Sequence, residues 1–182
     1  MPEEFPHATF AGGCFWCIEA AFSQFQAVGP IKPGYCGGDT INPTYNEVCS
    51  GKTGHAEAVQ LSYDPHLFSY ENLLEIFFAI HDPTQLNQQG PDVGSQYRSA
   101  IFYHNSTQKS AAESYVNLLI EQNPYDKPIV TEIAELSIFY EAEEYHHDYF
   151  SKNPSNPYCI FNTLPKMIKA REIFPNIPTA ND

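Results

Sequence analysis

The sequence predicts an α+β domain on a ferredoxin-like split β-α-β core (an α/β plait), extended by an added helix, an added strand and long loops. Three observations carry this expectation. Strand-type and helix-type segments follow one another in the order β-α-β-β-α-β. The second and third strands are joined by a loop rich in Gly, Pro and Asn rather than by a helix. No internal repeat or long linker divides the 182 residues, so 1–182 is expected to form a single catalytic domain with a loop-rich tail from about residue 152.

Each element has its own signal. Residues 7–12 read as a short strand around Ala8-Thr9-Phe10-Ala11, and 15–25 as a helix with Phe22 and Phe25 on the face of Ile18. A strand is expected at 28–36, a loop from Gly37 to Gly54, and a strand at 55–63 that stops at Tyr63-Asp64-Pro65. The helix at 69–81 has Leu73, Leu74, Ile76, Phe77 and Ile80 on one face and Ser69 as its cap. After a polar loop from Asp82 to Gln96 come a strand at 97–103, a helix at 106–122 capped by Ser106, and a strand near 129–137. Residues 138–152 read as mixed, 164–173 as a terminal helix, and Pro175 to Asp182 as frayed.

Composition excludes several function classes. Apolar residues make up 42%, with 13 Phe and 12 Tyr, which supports a packed core rather than disorder. A net charge of −13 argues against nucleic acid and against anionic membranes as partners. No apolar run approaches a membrane span, and the start Met1-Pro2-Glu3-Glu4 has no signal-like stretch. Five cysteines, an odd number in a chain too large to need stapling, predict a reducing cytoplasmic setting with free thiols.

The densest chemical signal is Gly12-Gly13-Cys14-Phe15-Trp16-Cys17, where a strand passes into a helix. At a helix start the free N–H groups and the dipole favour a thiolate, the nucleophilic form of cysteine. The alternative for Cys14 is a small buried apolar residue. A second signal is His55-Ala56-Glu57-Ala58-Val59: alternation puts Glu57 on the face of His55 and Val59, where burial would keep its carboxyl protonated as a general acid must be. The alternative is a strand charge facing water. Asp92, Tyr97 and Tyr35 lie at loop–strand junctions and add an acid and two phenols. A cysteine in the flexible Asn/Pro/Ser-rich stretch, Cys159, is poorly placed for packing and well placed to reach another thiol.

No metal is expected. His55-x-Glu57 and Cys14-x-x-Cys17 have ligand-like spacings, yet zinc deaminases carry their Cys pair downstream of the His, and the neighbours His146-His147 do not converge on one ion from a helix. Cys14-x-x-Cys17 also admits a thiol–disulfide exchange reading, against which stand the bulky Phe15-Trp16 and the strand order.

Taken together, these segments closely resemble the A-type peptide methionine sulfoxide reductase family. The resemblance rests on Gly13-Cys14-Phe15-Trp16, Gly34-Tyr35-x-Gly37-Gly38, Pro43-Thr44-Tyr45, Gly54-His55-Ala56-Glu57-Ala58-Val59, His81-Asp82-Pro83-Thr84, Asp92-x-Gly94-x-Gln96-Tyr97-Arg98-Ser99, and Asn153-Pro154 through Tyr158-Cys159. It implies that Cys14 attacks the sulfur of an S-epimer methionine sulfoxide and that Glu57 protonates the departing oxygen. It implies that Tyr35 and Tyr97 hydrogen-bond that oxygen, that Asp92 orients the substrate, and that Phe15 and Trp16 form the pocket for its methyl group. Cys14 is then left as a sulfenic acid, which a second thiol converts to a disulfide.

For that second thiol the resemblance points to Cys159, and Cys17, three residues from Cys14, is the alternative. Cys36 and Cys49 are read as bystanders. No cofactor is implied beyond an external thiol reductant, thioredoxin or dithiothreitol. The implied partners are thioredoxin and oxidised-methionine proteins and peptides, with the chain acting as a monomer.

Overall fold

The computed structural model describes residues 4–180. Met1–Glu3, where no signal segment is expected, and the last two residues of the tail lie outside the described residues. In chain order the first half holds β1 (His7–Ala11), α1 (Phe15–Ser23), β2 (Val28–Cys36), α2 (Tyr45–Cys49), β3 (Ala56–Tyr63), α3 (Tyr70–Ile80) and the short pair β4 (Gln88–Gln89) and β5 (Asp92–Val93). A 3-10 turn at Ser95–Tyr97 then leads to β6 (Ala100–Tyr103), α4 (Ser106–Gln122), β7 (Glu132–Glu135) and β8 (Tyr140–Glu141). A 3-10 turn at Glu144–His146, α5 (Tyr149–Lys152), a π-helical turn at Cys159–Thr163 and α6 (Leu164–Ile173) complete the chain.

Six strands form one mixed sheet in the order β7-β6-β1-β3-β2-β8. Every neighbouring pair is antiparallel except β6 and β7, which run parallel. The two faces of the sheet differ in residue size, and that difference sets what covers each. Phe10, Val59, Leu61 and Ile101 belong to the large core shared with α1 and α3, where the Phe10 ring stacks on Phe22 at 5.7 Å and on Phe77 at 5.0 Å. The other face is built from Ala11, Cys36, Ala56, Ala58 and Ala100 around Phe102, and is covered by Ala134, Leu136 and Phe139. Small residues there let an extended chain lie close. At Gly34 an added Cβ would fall 2.4 Å from the Phe139 ring and from the Tyr140 carbonyl oxygen.

Several elements depart from the sequence expectations. The segment 37–54, expected as loop throughout, contains α2, started by a capping box between Thr44 and Glu47 and anchored by buried Val48. The strand expected from 97 begins at Ala100, because Gly94 (φ 142°) turns the chain and Ser95–Tyr97 close a 3-10 turn. Helix α4 is capped by Asn105, not Ser106: the Gln108 N–H donates to Asn105 Oδ1 at 2.9 Å. The strand expected at 129–137 is confined to Glu132–Glu135. The tail expected to fray is docked as far as it is described. Gln26 donates to the Pro178 carbonyl and Ala180 to that of Gln24, while Phe174 and Ile177 pack on the core. Among the described residues no helix is long and apolar enough to cross a membrane.

Candidate active site

The site is built where β1 turns into α1. Gly13 has φ +99°, and a Cβ there would lie within 3 Å of the Gln89 side chain, so this turn requires glycine. It delivers Cys14 as the residue capping α1, in an extended conformation, with its own side chain capping nothing. Glu57, on β3 and only 1% exposed, faces Tyr35 across the ladder. The Phe15 N–H donates to Glu57 Oε1 at 3.3 Å, while Glu57 Oε2 is buried without a hydrogen-bond partner. Burial pushes the Glu57 carboxyl up to about 8, with the Asp92 charge adding to the rise and the Phe15 amide opposing it. At neutral pH the protonated form is therefore favoured, with the Tyr97 hydroxyl also opposing the rise.

The Cys14 thiol does not follow the helix-start expectation. Burial raises it well above the ordinary cysteine value, and the hydrogen bond with Cys17 and the Glu57 charge add to the rise. The Trp16 amide, the contribution expected from the helix terminus, is outweighed. The neighbouring Cys14 thiol is the largest influence drawing Cys17 down, to about 6. Cys17 also shares a 3.2 Å hydrogen bond with Thr163 Oγ1.

The other sequence-selected residues gather around these two. Phe15 is fully buried, with its ring centroid 5.8 Å from that of Tyr35 and 6.5 Å from that of Tyr45. Trp16, half-buried, lies flat on Tyr149, with centroids 3.7 Å apart and planes 5° apart, and meets Tyr158 edge-on. The Tyr35 hydroxyl is committed to Glu143 Oε1 at 3.0 Å, and the other oxygen of Glu143 accepts the Tyr45 N–H. Tyr97 is on the 3-10 turn rather than in a strand. Burial and the nearby Glu57, Asp92 and Cys14 charges hold its hydroxyl in the neutral form. Asp92, on β5, accepts a short hydrogen bond from the Tyr158 hydroxyl.

Cys159 is not on a loose tail. It is fully buried at the start of the π-helical turn, hydrogen-bonded to Thr163 and within reach of the Cys17 charge. Cys36 is buried among the small residues of the opposite sheet face, and Cys49 is exposed at the end of α2. His55 braces the 38–55 loop, bonding the Gly38 amide and the Thr40 carbonyl. Of the surround, Glu143 and Tyr149 were missed, and Tyr45 and His146 were named without a role at this site. Only the aromatic and histidine density of Tyr145-His146-His147-x-Tyr149 could have marked His146 and Tyr149.

The family model for peptide methionine sulfoxide reductase matches residues 6–176. The chain belongs to the peptide methionine sulfoxide reductase family. The reductase MsrA of Natronomonas pharaonis is 57% identical over 167 residues, covering 92% of this chain and 94% of its own length. Among solved structures, reduced Mxr1 from Saccharomyces cerevisiae superposes with a TM-score of 0.79 at 35% identity, over 87% of this chain and 91% of that one. Mxr1 in complex with Trx2 matches with a TM-score of 0.57 at 25% identity, over 82% and 87%. As a peptide methionine sulfoxide reductase the chain is an oxidoreductase that reduces methionine sulfoxide by cysteine chemistry.

Proposed function

We propose that the chain reduces the S epimer of methionine sulfoxide, in peptides and as the free amino acid, with Cys14 as nucleophile and Glu57 as acid. The observation that carries the reading is the Phe15 N–H to Glu57 bond. It sets a protonated, unpartnered carboxyl oxygen within electrostatic reach of the sulfur one residue earlier. The Cys14 sulfur bonds to the sulfoxide sulfur as the oxygen takes the Glu57 proton; the hydroxyl group then passes to the Cys14 sulfur as the sulfur–sulfur bond and the original sulfur–oxygen bond break, which releases the thioether. The Cys14 thiol proton then restores Glu57. Thiol plus sulfoxide thus becomes sulfenic acid plus thioether with no proton drawn from solvent. Phe15 and Trp16 take the methyl group, Tyr97 donates to the oxygen, Tyr35 joins it by exchanging its bond to Glu143 for one to the oxygen, and Asp92 orients the substrate.

The sulfenic acid condenses with a second thiol, releasing water. Cys159 is the thiol that the resemblance assigns to this step; it feels the Cys17 charge and the Thr163 hydroxyl, and that hydroxyl also bonds the Cys17 sulfur. That arrangement favours a relay in which Cys17 condenses with Cys14 and Cys159 then attacks the Cys17 sulfur, returning Cys14 as a thiol. An external dithiol, thioredoxin in the cell or dithiothreitol in an assay, reduces the product, as the pairing of yeast Mxr1 with Trx2 suggests for this chain too. No cofactor or metal enters. We read the chain as one monomeric, cytoplasmic catalytic domain, in which the segment after about residue 152 supplies Cys159. The strand order β6-β1-β3-β2, crossed by α1 and α3, supports a ferredoxin-like plait at its centre.

The test is consumption of a racemic peptide methionine sulfoxide with dithiothreitol. One epimer should disappear, and Cys14→Ser should consume neither. Wild-type protein that consumes neither epimer ends the proposal.

A further inference from the structure

We propose that His146 is a positioning residue for this reaction, its Nδ1 holding the Trp16 indole N–H so that the wall against which the substrate methyl packs keeps one orientation. The proposal rests on the reading above that Trp16 lines the substrate hollow. The Trp16 Nε1–H donates to His146 Nδ1 at 3.0 Å. An indole nitrogen only donates, so Nδ1 must be the bare acceptor and Nε2 must carry the ring proton. That tautomer has a cost: Nε2 is buried with no hydrogen-bond partner. It lies in a cage of rings, with the centroids of Phe15, Tyr45 and Tyr145 at 5.0, 4.3 and 4.0 Å from that of the imidazole. Only aromatic faces remain to receive the proton weakly.

A buried, unpaired donor is rare, and it is kept where the group does something else that matters. Here the something else is the bond to Trp16. Burial also holds the imidazole below its ordinary pKa, with the His147 charge helping and Glu143 opposing, so the neutral form that can accept from an indole prevails.

The bond restrains what stacking leaves free. Tyr149 lies parallel to Trp16 at 3.7 Å, which fixes the distance between planes but permits sliding and rotation within them. The carboxyl of Glu19, a buried residue of α1, lies close to the Asp148 and Tyr149 amides. Removing the Nδ1 acceptor would leave the indole stacked but free to turn, and a methyl pocket built on it would lose its shape.

Trp16 is the only tryptophan, so tryptophan emission reports this one ring. His146→Leu removes the acceptor while filling the space, and His146→Asn keeps an acceptor near the Nδ1 position. His146→Leu is expected to shift the emission and raise KM for a peptide methionine sulfoxide about tenfold, with kcat under dithiothreitol changed less than about twofold. His146→Asn should recover most of both. In a Trp16→Phe background, His146→Leu should change KM no further. A folded His146→Leu protein with unchanged emission and KM overturns the proposal, as does an equal KM rise in both backgrounds. Should His146→Leu fail to fold, His146→Asn decides: near wild-type emission and KM support the role, and a large KM rise with unshifted emission refutes it. Wild-type turnover in the same assay separates the two ideas. With turnover present and KM unmoved, only the positioning role falls; with turnover absent, the functional reading falls and takes the positioning role with it.

Discussion

The backbone N–H of Phe15 hydrogen-bonds the Glu57 carboxyl at 3.3 Å, joining the first residue of α1 to the middle strand of the sheet. One bond therefore does two jobs. It gives one of the free N–H groups of the helix start to the acid, and it leaves the second carboxyl oxygen buried without a partner. The next amide, that of Trp16, still favours the Cys14 thiolate, but burial outweighs it and holds the thiol up.

The acid role predicts the kinetics of Glu57→Gln. Its amide cannot give up a proton, so the single-turnover rate should fall about a hundredfold or more. In the wild type that rate should decline above about pH 8, where the Glu57 carboxyl ionises, loses its proton and adds repulsion at Cys14. The Gln variant should lack this decline. Rapid-quench measurement of thioether formation across pH 6–10 checks it, and a variant profile parallel to the wild type would remove Glu57 from the mechanism.

The same group predicts a gain in stability on removal. Its folded pKa, about 8, lies above the ordinary value of 4.5, so between these values the folded state binds a proton that the unfolded state does not. Stability from this group is full below about pH 4.5 and is lost as pH rises through 8. Glu57→Gln has no charge to bury and should melt higher than wild type at pH 8, by a few kcal/mol at most. The gap should close toward pH 4.5. Thermal melts at the two pH values decide, and a variant less stable at pH 8 would contradict the burial argument.

What the sequence allowed to be read follows from where the information lies. Helices α1 and α3 are local patterns with apolar faces, and β3 ends at a local stop, so they could be read from their own residues. Helix α2 was hidden because the surrounding Gly, Pro and Asn outweighed one capping box. The pairing of Cys14 with Glu57 was suggested by resemblance, but the raised Cys14 pKa was not. It arises from burial and from Cys17, and neither effect can be judged from a helix start alone. Glu143, His146 and Tyr149 are invisible for the same reason. Each earns meaning only through a residue about a hundred or more positions away.

The thiol arrangement predicts different losses for the two partner cysteines. Cys17→Ser removes the thiol bonded to Cys14, so single turnover should still release methionine while the sulfenic acid persists longer. Cys159→Ser should leave a Cys14–Cys17 disulfide that dithiothreitol reduces, and it should slow recycling by thioredoxin. Mass-spectrometric mapping after one turnover reads both. A direct Cys14–Cys159 bridge forming in the wild type at the same rate as in Cys17→Ser would eliminate the relay order.

Reaching Cys159 requires the segment around it to open, because the thiol is fully buried and its neighbour Tyr158 is tied to Asp92. A hydrogen bond to a charged group contributes about 1.5–3 kcal/mol, and Asp92 is open enough to be rehydrated when it is lost, so the lower end applies. Local opening scales with that loss. Tyr158→Phe keeps the ring that meets Trp16 edge-on and deletes only the hydroxyl. Its opened population should rise about tenfold, and iodoacetamide should alkylate Cys159 about tenfold faster, with little change in global melting. An unchanged rate would mean that Thr163 and the buried face of the π-helical turn, rather than the Tyr158 hydroxyl, hold the segment closed.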